Sequence, residues 1–375
     1  MSKSWRFFIT FVEIKLVIMQ QQIIRCTHIE KDLTRLLQGL DFDGLFILTD
    51  NNTQKFCLPI IQSLPEIQTA KKFSIPAGEE NKNVESLSNV WKFLSDNGSN
   101  RKSLLINLGG GMLTDLGGFA AATFKRGIRF VNIPTTLLGA VDAAVGGKTG
   151  INFTGLKNEI GAFAPAIAVL IDSNFFKTLD ITQLLSGYAE MLKHSLLGGD
   201  GARPISTIND LLCFDLNEVD YELLNNFLFE SVLIKERIVE EDPTEQGIRK
   251  ALNLGHTFGH AFESLALEMN NPIQHGYAVA FGLVCELYLS FIQLGFDKNV
   301  LMKIARFVKE NYGVFAFNCK SYQRIYELMQ HDKKNENGVI NFTLLSAVGD
   351  IKINQTAERT EIEEVLDFYR EFFGC

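Results

Sequence analysis

The sequence predicts two unlike halves, an α/β half built on a parallel sheet and a mainly helical half behind it. Three observations carry this reading. Apolar runs of strand length alternate with helical segments between Leu45 and Asp172. From about Phe175 onward the apolar spacing becomes helical. Three of the six histidines, His256, His260 and His275, then fall within 20 residues of one another. The change of pattern between Asp172 and Asp180 divides the chain into residues 1–175 and 176–375.

The first half reads in order. LFILTD (Leu45–Asp50) is an apolar run that ends in polar residues, and KFSIPAGEE (Lys72–Glu80) is a second. A helical pattern follows from Val84 to Leu94. SLLINLGGG (Ser103–Gly111) is a buried-strand run stopped by three glycines, and RFVNIPTT (Arg129–Thr136) and IAVLID (Ile167–Asp172) complete the set. Ligands of such sheets sit at the carboxyl ends of the strands. LGGGMLTDLGGF lies at one such end, where glycines admit a close ligand and the next helix offers its N–H groups to a pyrophosphate. The spacing is not G-x-G-x-x-G, and a tight turn explains it equally well. Asp50 is likewise suited to a ribose hydroxyl or to an Asx turn. Pro134–Phe163 sets Asp142, Lys148, Lys157 and Asn158 among small, apolar residues. Lone charges are costly to bury there, so this stretch reads as a pocket between the halves.

The second half begins with a helix over Leu184–Leu197, which puts Glu190 and Lys193 on one face. Glu218–Glu241 is a long amphipathic helix carrying Lys235. RKALNLGHTFGHAFE (Arg249–Glu263) places His256 and His260 four apart on one helical face, with Asn253 one turn earlier. Helices over His275–Leu294, Val300–Tyr312 and Tyr322–His331 follow. HDKKNENG (His331–Gly338) is a polar turn, Val339–Ile353 alternates as a hairpin turning near Gly349, and Ile362–Phe373 is a closing helix.

Two or three histidines with one carboxylate, Glu190, form the ligand set of a catalytic zinc. The bland alternative is ordinary histidines packed between helices. Arg126, Lys148, Lys157, Lys193, Lys235 and Arg249 suit an anionic substrate that carries a phosphate and a carboxylate. Together these groups describe a metal- and nucleotide-dependent enzyme acting on a phosphorylated polyol or sugar acid. A net charge of −8 without a basic tract argues against a nucleic-acid partner. Six scattered cysteines without a C-x-x-C pair predict neither a disulfide framework nor a zinc ribbon and suit the cytoplasm. Phe7–Met19 is apolar but broken by Glu13 and Lys15, and it is too short to span a bilayer. It is either a first strand or an extension ahead of a natural start at Met19. No membrane partner is expected.

The ordered run GGGMLTDLGGFAAATFKRGIRFVNIPTTLLGAVDAAVGGKTGIN, GLKNEIGAF, GYAEMLKH, NLGHTFGHAFE and HGYAVAFG resembles the 3-dehydroquinate synthase family from about Asp50 to Gly349. That resemblance implies a Rossmann-like NAD-binding domain joined to a helical metal- and substrate-binding domain. It implies a homodimer that uses NAD and a divalent metal, zinc or else cobalt. The implied reaction converts 3-deoxy-D-arabino-heptulosonate 7-phosphate to 3-dehydroquinate and phosphate, in the shikimate pathway of aromatic amino acid biosynthesis. Its implied steps are oxidation at C5, β-elimination of phosphate, reduction, ring opening and aldol closure.

By the same resemblance, Glu190, His256 and His275 are the metal ligands, and His260 is a substrate-side group. Asp142, Lys148, Asn158, Lys193, Lys235, Arg249 and Asn253 line the substrate pocket. Arg126 binds the phosphate from the neighbouring subunit, and Lys333 or Lys334 closes over the substrate. Asp50, Asn52, Glu79, Lys82, Gly110, Gly111, Asp115, Thr135, Thr136, Lys157 and Thr178 match the NAD positions. Two departures stand out. Tyr277 replaces the usual Glu after His-Gly, which removes a carboxylate expected beside a metal ligand. Asn270–Pro272 reads as a small loop insertion between His256 and His275. On this reading Lys193→Ala folds normally and loses activity. The rival readings are a sister sugar-phosphate cyclase (2-deoxy-scyllo-inosose or aminodehydroquinate synthase) and a metal-dependent alcohol or glycerol dehydrogenase, which would release NADH.

Overall fold

The computed structural model describes residues 21–198, 204–330 and 339–375. The Phe7–Met19 stretch, and Lys333 and Lys334 in the polar turn, lie outside the described residues. The first half opens with a short strand, β1 (Gln22–Arg25), and a helix, α1 (Ile29–Gln38), whose buried Ile29, Leu33 and Leu37 recur at helical spacing. β2 (Leu45–Asp50) leads into three short helices, α2 (Asn51–Phe56), α3 (Leu58–Ile61) and α4 (Pro65–Thr69). β3 (Lys71–Ile75) is shorter than expected, because its apolar run stops at Pro76 and Glu79–Asn81 forms a single 3₁₀ turn. α5 (Val84–Asp96), β4 (Leu104–Gly109), α6 (Gly111–Thr123) and β5 (Arg129–Pro134) follow as the sequence predicts.

Pro134–Phe163 holds structure that the sequence conceals: a π-helical turn at Gly139–Ala143 and an antiparallel hairpin, β6 (Lys148–Phe153) with β7 (Leu156–Phe163). β8 (Ala168–Ile171) then closes the main sheet. That sheet has six parallel strands in the order β1-β8-β5-β4-β2-β3. β2 and β4 are buried along their whole length, which is why they read as unbroken apolar runs. The strand order reverses between β2 and β4. Their carboxyl ends, Asp50 and Gly109, therefore flank the crevice in which α/β sheets bind ligands.

The helical half contains α7 (Ile181–Leu197), α8 (Pro204–Cys213), α9 (Tyr221–Glu241), α10 (His256–Glu268), α11 (His275–Leu294), α12 (Lys298–Tyr312) and α13 (Tyr322–Gln330). A β9 (Phe342–Ala347) and β10 (Asp350–Gln355) hairpin turns at Gly349, and α14 (Arg359–Phe373) closes the chain. α11 is long and apolar enough to cross a membrane, but α7, α10, α12, α14 and β9 pack around it as a core helix. Its contacts with α7 and α10 are backbone on backbone. A Cβ on Gly276 would lie 1.9 Å from the Ser186 carbonyl oxygen, and one on Gly282 would lie 1.9 Å from that of Gly255.

One expectation needs correction. Arg249–Glu263 is not a continuous helix: Ile248–Asn253 is a 3₁₀ turn, and α10 begins at His256. Gly255 breaks the run, at φ 81°, with Leu283 packed where a side chain would stand. His256 and His260 keep their shared face, whereas Asn253 belongs to a separate turn.

Candidate active site

Three helices supply the central cluster. Asp180 caps α7 by accepting the Gln183 N–H at 2.8 Å, and α7 carries Glu190 and Lys193 inward. α10 supplies His256 and His260, and α11 supplies His275 at its first position. Glu190 is wholly buried, and neither carboxylate oxygen has a hydrogen-bond partner. Its compensating charge is the buried Lys193 ammonium, in ion-pair contact with Oε2. Oε1 lies 3.5 Å from His256 Nε2 and 3.7 Å from His275 Nε2.

Those separations test the fit to a metal. Donor atoms sharing a tetrahedral ion, with ligand bonds of about 2.1 Å, stand about 3.4 Å apart. The tautomers agree. His256 Nδ1 faces the Leu254 carbonyl at 3.1 Å and His275 Nδ1 faces Glu263 Oε2 at 3.4 Å, and since both partners only accept, the protons sit on Nδ1. Both Nε2 lone pairs are left toward Glu190. The buried carboxylate, paired with Lys193 through Oε2, and the two aimed imidazoles fit a divalent ion. His260 stands beside them, its ring 5.4 Å from that of His256 and 5.8 Å from that of His275.

The substitution at Tyr277 does not strip His275 of a carboxylate. Tyr277 packs edge-on against Tyr312 at 5.0 Å, and Glu263 of α10 supplies the anion instead. Burial raises the Glu263 carboxyl, but His275 and Lys157 outweigh it and hold the group well below the usual carboxylate range. Lys157 Nζ lies 2.6 Å from Glu263 Oε1. Glu263→Gln should weaken metal binding by roughly ten- to a hundredfold, the usual cost of losing a ligand's supporting partner. Chelator competition on the folded variant checks this, and an unchanged dissociation constant would exclude the support role.

The substrate-side candidates split into groups. Lys235, buried on α9, places Nζ 2.5 Å from both Asp142 Oδ1 and the Asp142 carbonyl oxygen. Burial raises the Asp142 carboxyl, yet Lys235 and Lys193 hold it well below its ordinary value. Arg249 is buried and donates to the carbonyls of Pro243 at 2.6 Å and Gly146 at 2.9 Å, while its Nε has no partner. Lys148 is ion-paired with Glu245, which also accepts the Asn253 amide at 3.1 Å. Asn158 joins a different group: its side chain accepts from Lys82 Nζ, which also binds Asp115 at 2.5 Å. Asn152 ties in both Asn158 N–H at 2.9 Å and Glu79 Oε1 at 2.9 Å.

The other nucleotide candidates lie near the strand ends. Asp50 uses Oδ1 to accept the Asn52 and Thr53 N–H groups at 2.9 and 2.8 Å, so the Asx-type cap is real. Gly110 and Gly111 open α6 where a Cβ would sit 3.0 Å from Thr136 and from Ala143 respectively. Thr135 N–H donates to Gly109 O at 3.0 Å. Thr178 is exposed at the end of the Ser173–Thr178 turn. Arg126 is also exposed, at φ 68° beside Lys125 at φ 50°, with no ion pair among the described residues.

Sequence reasoning missed Glu245, Glu263 and His194. His194 is buried, with Nδ1 2.8 Å from Ser231 Oγ, and its nitrogen lies within 4.8 Å of Asp142 and Glu190 carboxylate oxygens. Burial, together with Lys193 and Lys235, keeps it neutral, well below the ordinary histidine value. A signal existed, since His194 follows Glu190 by four residues. Glu245 sits at φ 62° in a polar loop that carries none.

The family model described as 3-dehydroquinate synthase N-terminal matches residues 72–186, and the C-terminal model matches residues 187–335. A curated 3-dehydroquinate synthase of Parabacteroides distasonis is 53% identical over 355 residues, covering 95% of this chain and 99% of the relative. A 2-deoxy-scyllo-inosose synthase, solved with carbaglucose-6-phosphate, NAD+ and Co2+, shares the fold at a TM-score of 0.78 and 23% identity, covering 93% of this chain and 96% of that one. A 2-epi-5-epi-valiolone synthase from Streptomyces hygroscopicus, with NAD+ and Zn2+ bound, does so at 0.77 and 24%, covering 98% and 99%.

Proposed function

Because the chain belongs to the 3-dehydroquinate synthase family, we propose that the Glu190–His256–His275 cluster and the cations around it are the working parts of its reaction. The enzyme is an NAD- and divalent-metal-dependent carbon–oxygen lyase that turns 3-deoxy-D-arabino-heptulosonate 7-phosphate into 3-dehydroquinate and phosphate. The observation that carries the site assignment is the wholly buried Glu190 carboxylate, whose Oε2 meets Lys193 and whose Oε1 faces two imidazole nitrogens. When bound, the metal polarises the substrate's oxygens as a Lewis acid and NAD takes up and returns a hydride.

The remaining roles belong to the chain. Glu190, His256 and His275 hold the ion, with Glu263 and the Leu254 carbonyl fixing the imidazoles. Lys148, Lys235 and Arg249, with Asn253, bind the anionic substrate, and their charge meets the charge that develops on the departing phosphate. Each is bonded to the protein before substrate arrives, so little reorganisation is needed. Asp142 stays a carboxylate and accepts hydrogen bonds from substrate hydroxyls. His260 exchanges protons on the substrate side. The Asp50 and Gly110–Gly111 strand ends, with Asn52, Thr135, Thr136 and Thr178, receive NAD. Lys157 and Asn158 of the β6–β7 hairpin, with Glu79 and Lys82 from the turn after β3 and Asp115 of α6, enclose it. Burial of Glu190, Lys193 and Lys235 excludes water from the reacting centre. The six free cysteines support residence in the reducing cytoplasm.

Phosphate release from the heptulosonate phosphate, measured with substoichiometric NAD and zinc, tests the reaction. Many turnovers per NAD with 3-dehydroquinate as product are expected. Accumulation of one NADH per NAD, with no phosphate released, would overturn it. The partner-subunit role of Arg126 is supported by its exposure on a left-handed turn. Arg126→Ala and His256→Ala should each be inactive, whereas dimers re-formed from a mixture should recover roughly a quarter of wild-type activity through one complete site per mixed dimer. No recovery would show that Arg126 does not act across a dimer.

A further inference from the structure

α11 bears on the metal cluster at two levels. Its first residue is His275, and Glu286 lies eleven residues, or three turns, further along the same face. Glu286 is completely buried. Its Oε2 accepts the Gly255 N–H at 2.6 Å, and its Oε1 accepts the N–H groups of Thr257 at 2.9 Å and Phe258 at 3.4 Å. These are the opening amides of α10. The residue preceding that helix is Gly255, which has no side chain to cap it. A carboxylate from the neighbouring helix takes the place of the missing cap, and its charge faces the positive end of α10.

The position matters because His256 is the first residue of α10, where a helix normally frays. Two of the three bound amides, Gly255 and Thr257, flank His256 in sequence. They set the rotation of the helix start and so the direction of His256 Nε2. We propose that Glu286 is a positioning residue for the metal: it clamps the first turn of α10 so that His256 meets Glu190 and His275 in a ready-made ligand set. The clamp and one ligand share one rigid helix, so the two histidine-bearing helices are held in register at the cluster. This inference rests on the metal assignment of Glu190, His256 and His275.

The test is zinc and cobalt affinity by chelator competition on wild-type, Glu286→Gln and His256→Ala proteins, with circular dichroism to establish folding. Glutamine keeps the shape but turns one acceptor into a donor facing N–H groups. Glu286→Gln is expected to bind metal about ten- to a hundredfold more weakly, the range for partners that orient a ligand. Its cobalt-loaded visible spectrum should shift, and its NAD affinity should be unchanged. A merely structural role lowers the melting temperature and leaves affinity and spectrum alone, and that result in the folded variant would overturn the proposal. If Glu286→Gln does not fold, Glu286→Asp carries the same comparison, with its charge kept but withdrawn by one methylene. A wild-type protein that binds no metal would sink the ligand assignment itself. Wild-type binding matched by the Glu286 variant would sink only the clamp.

Discussion

His256→Ala yields a folded protein that loses its divalent metal and turns over at least about a thousandfold more slowly, since the several kcal/mol of charge stabilisation a Lewis acid supplies convert at about 1.4 kcal/mol per tenfold. The fold survives because alanine is the best helix former and because Glu286 rather than His256 clamps the helix start. What disappears is one of two nitrogens facing Glu190. Metal content after gel filtration and phosphate release under saturating zinc are read together. A metal-loaded, fully active variant would remove His256 from the ligand set.

Lys193→Ala is expected to cost more than activity. Spacing on α7 alone suggests a lysine that can be deleted without harm to folding. The structure argues otherwise, because Lys193 is 1% exposed and its ammonium is in ion-pair contact with a carboxylate of zero exposure. Removing one member of a buried pair leaves the other charge uncompensated, at roughly 3–5 kcal/mol. The metal-free variant should therefore unfold at markedly lower denaturant than wild-type. Zinc should restore much of the difference, because a divalent ion at Glu190 supplies the lost positive charge. Denaturant unfolding with and without zinc decides this. Equal stability of the metal-free proteins would show that Lys193 does not neutralise Glu190.

What was legible in the sequence follows from what makes a pattern local. LFILTD and LLINLG announced β2 and β4 because strands covered on both faces cannot alternate. The β6–β7 hairpin was not legible, since its composition is dominated by small and polar residues and β7 lies mostly exposed. Glu190, Lys193, His256 and His260 stood out because spacings of three and four put them on common helical faces. The supports of His275 and of the start of α10 did not. Glu263 and Glu286 reach their partners across a helix–helix contact, and no spacing rule announces that. The break at Gly255 was hidden because a single glycine inside an apolar helical pattern is read as part of the helix. The bond between Asn158 and Lys82, made on the hairpin turn where Asn158 stands at φ 50°, had no spacing to announce it either.

The close contacts of α11 with its neighbours have a genetic consequence. With 1.9 Å between a hypothetical Cβ and a carbonyl oxygen at Gly276 and at Gly282, even alanine demands that two backbones separate. Loss-of-function alleles of this gene should therefore fall into two classes that abundance alone can sort. Changes at His256 or His275 leave a soluble, inert protein at normal levels in the cell. Changes at Gly276 or Gly282 leave little protein at all, because the chain is cleared by quality control before chemistry is ever at issue.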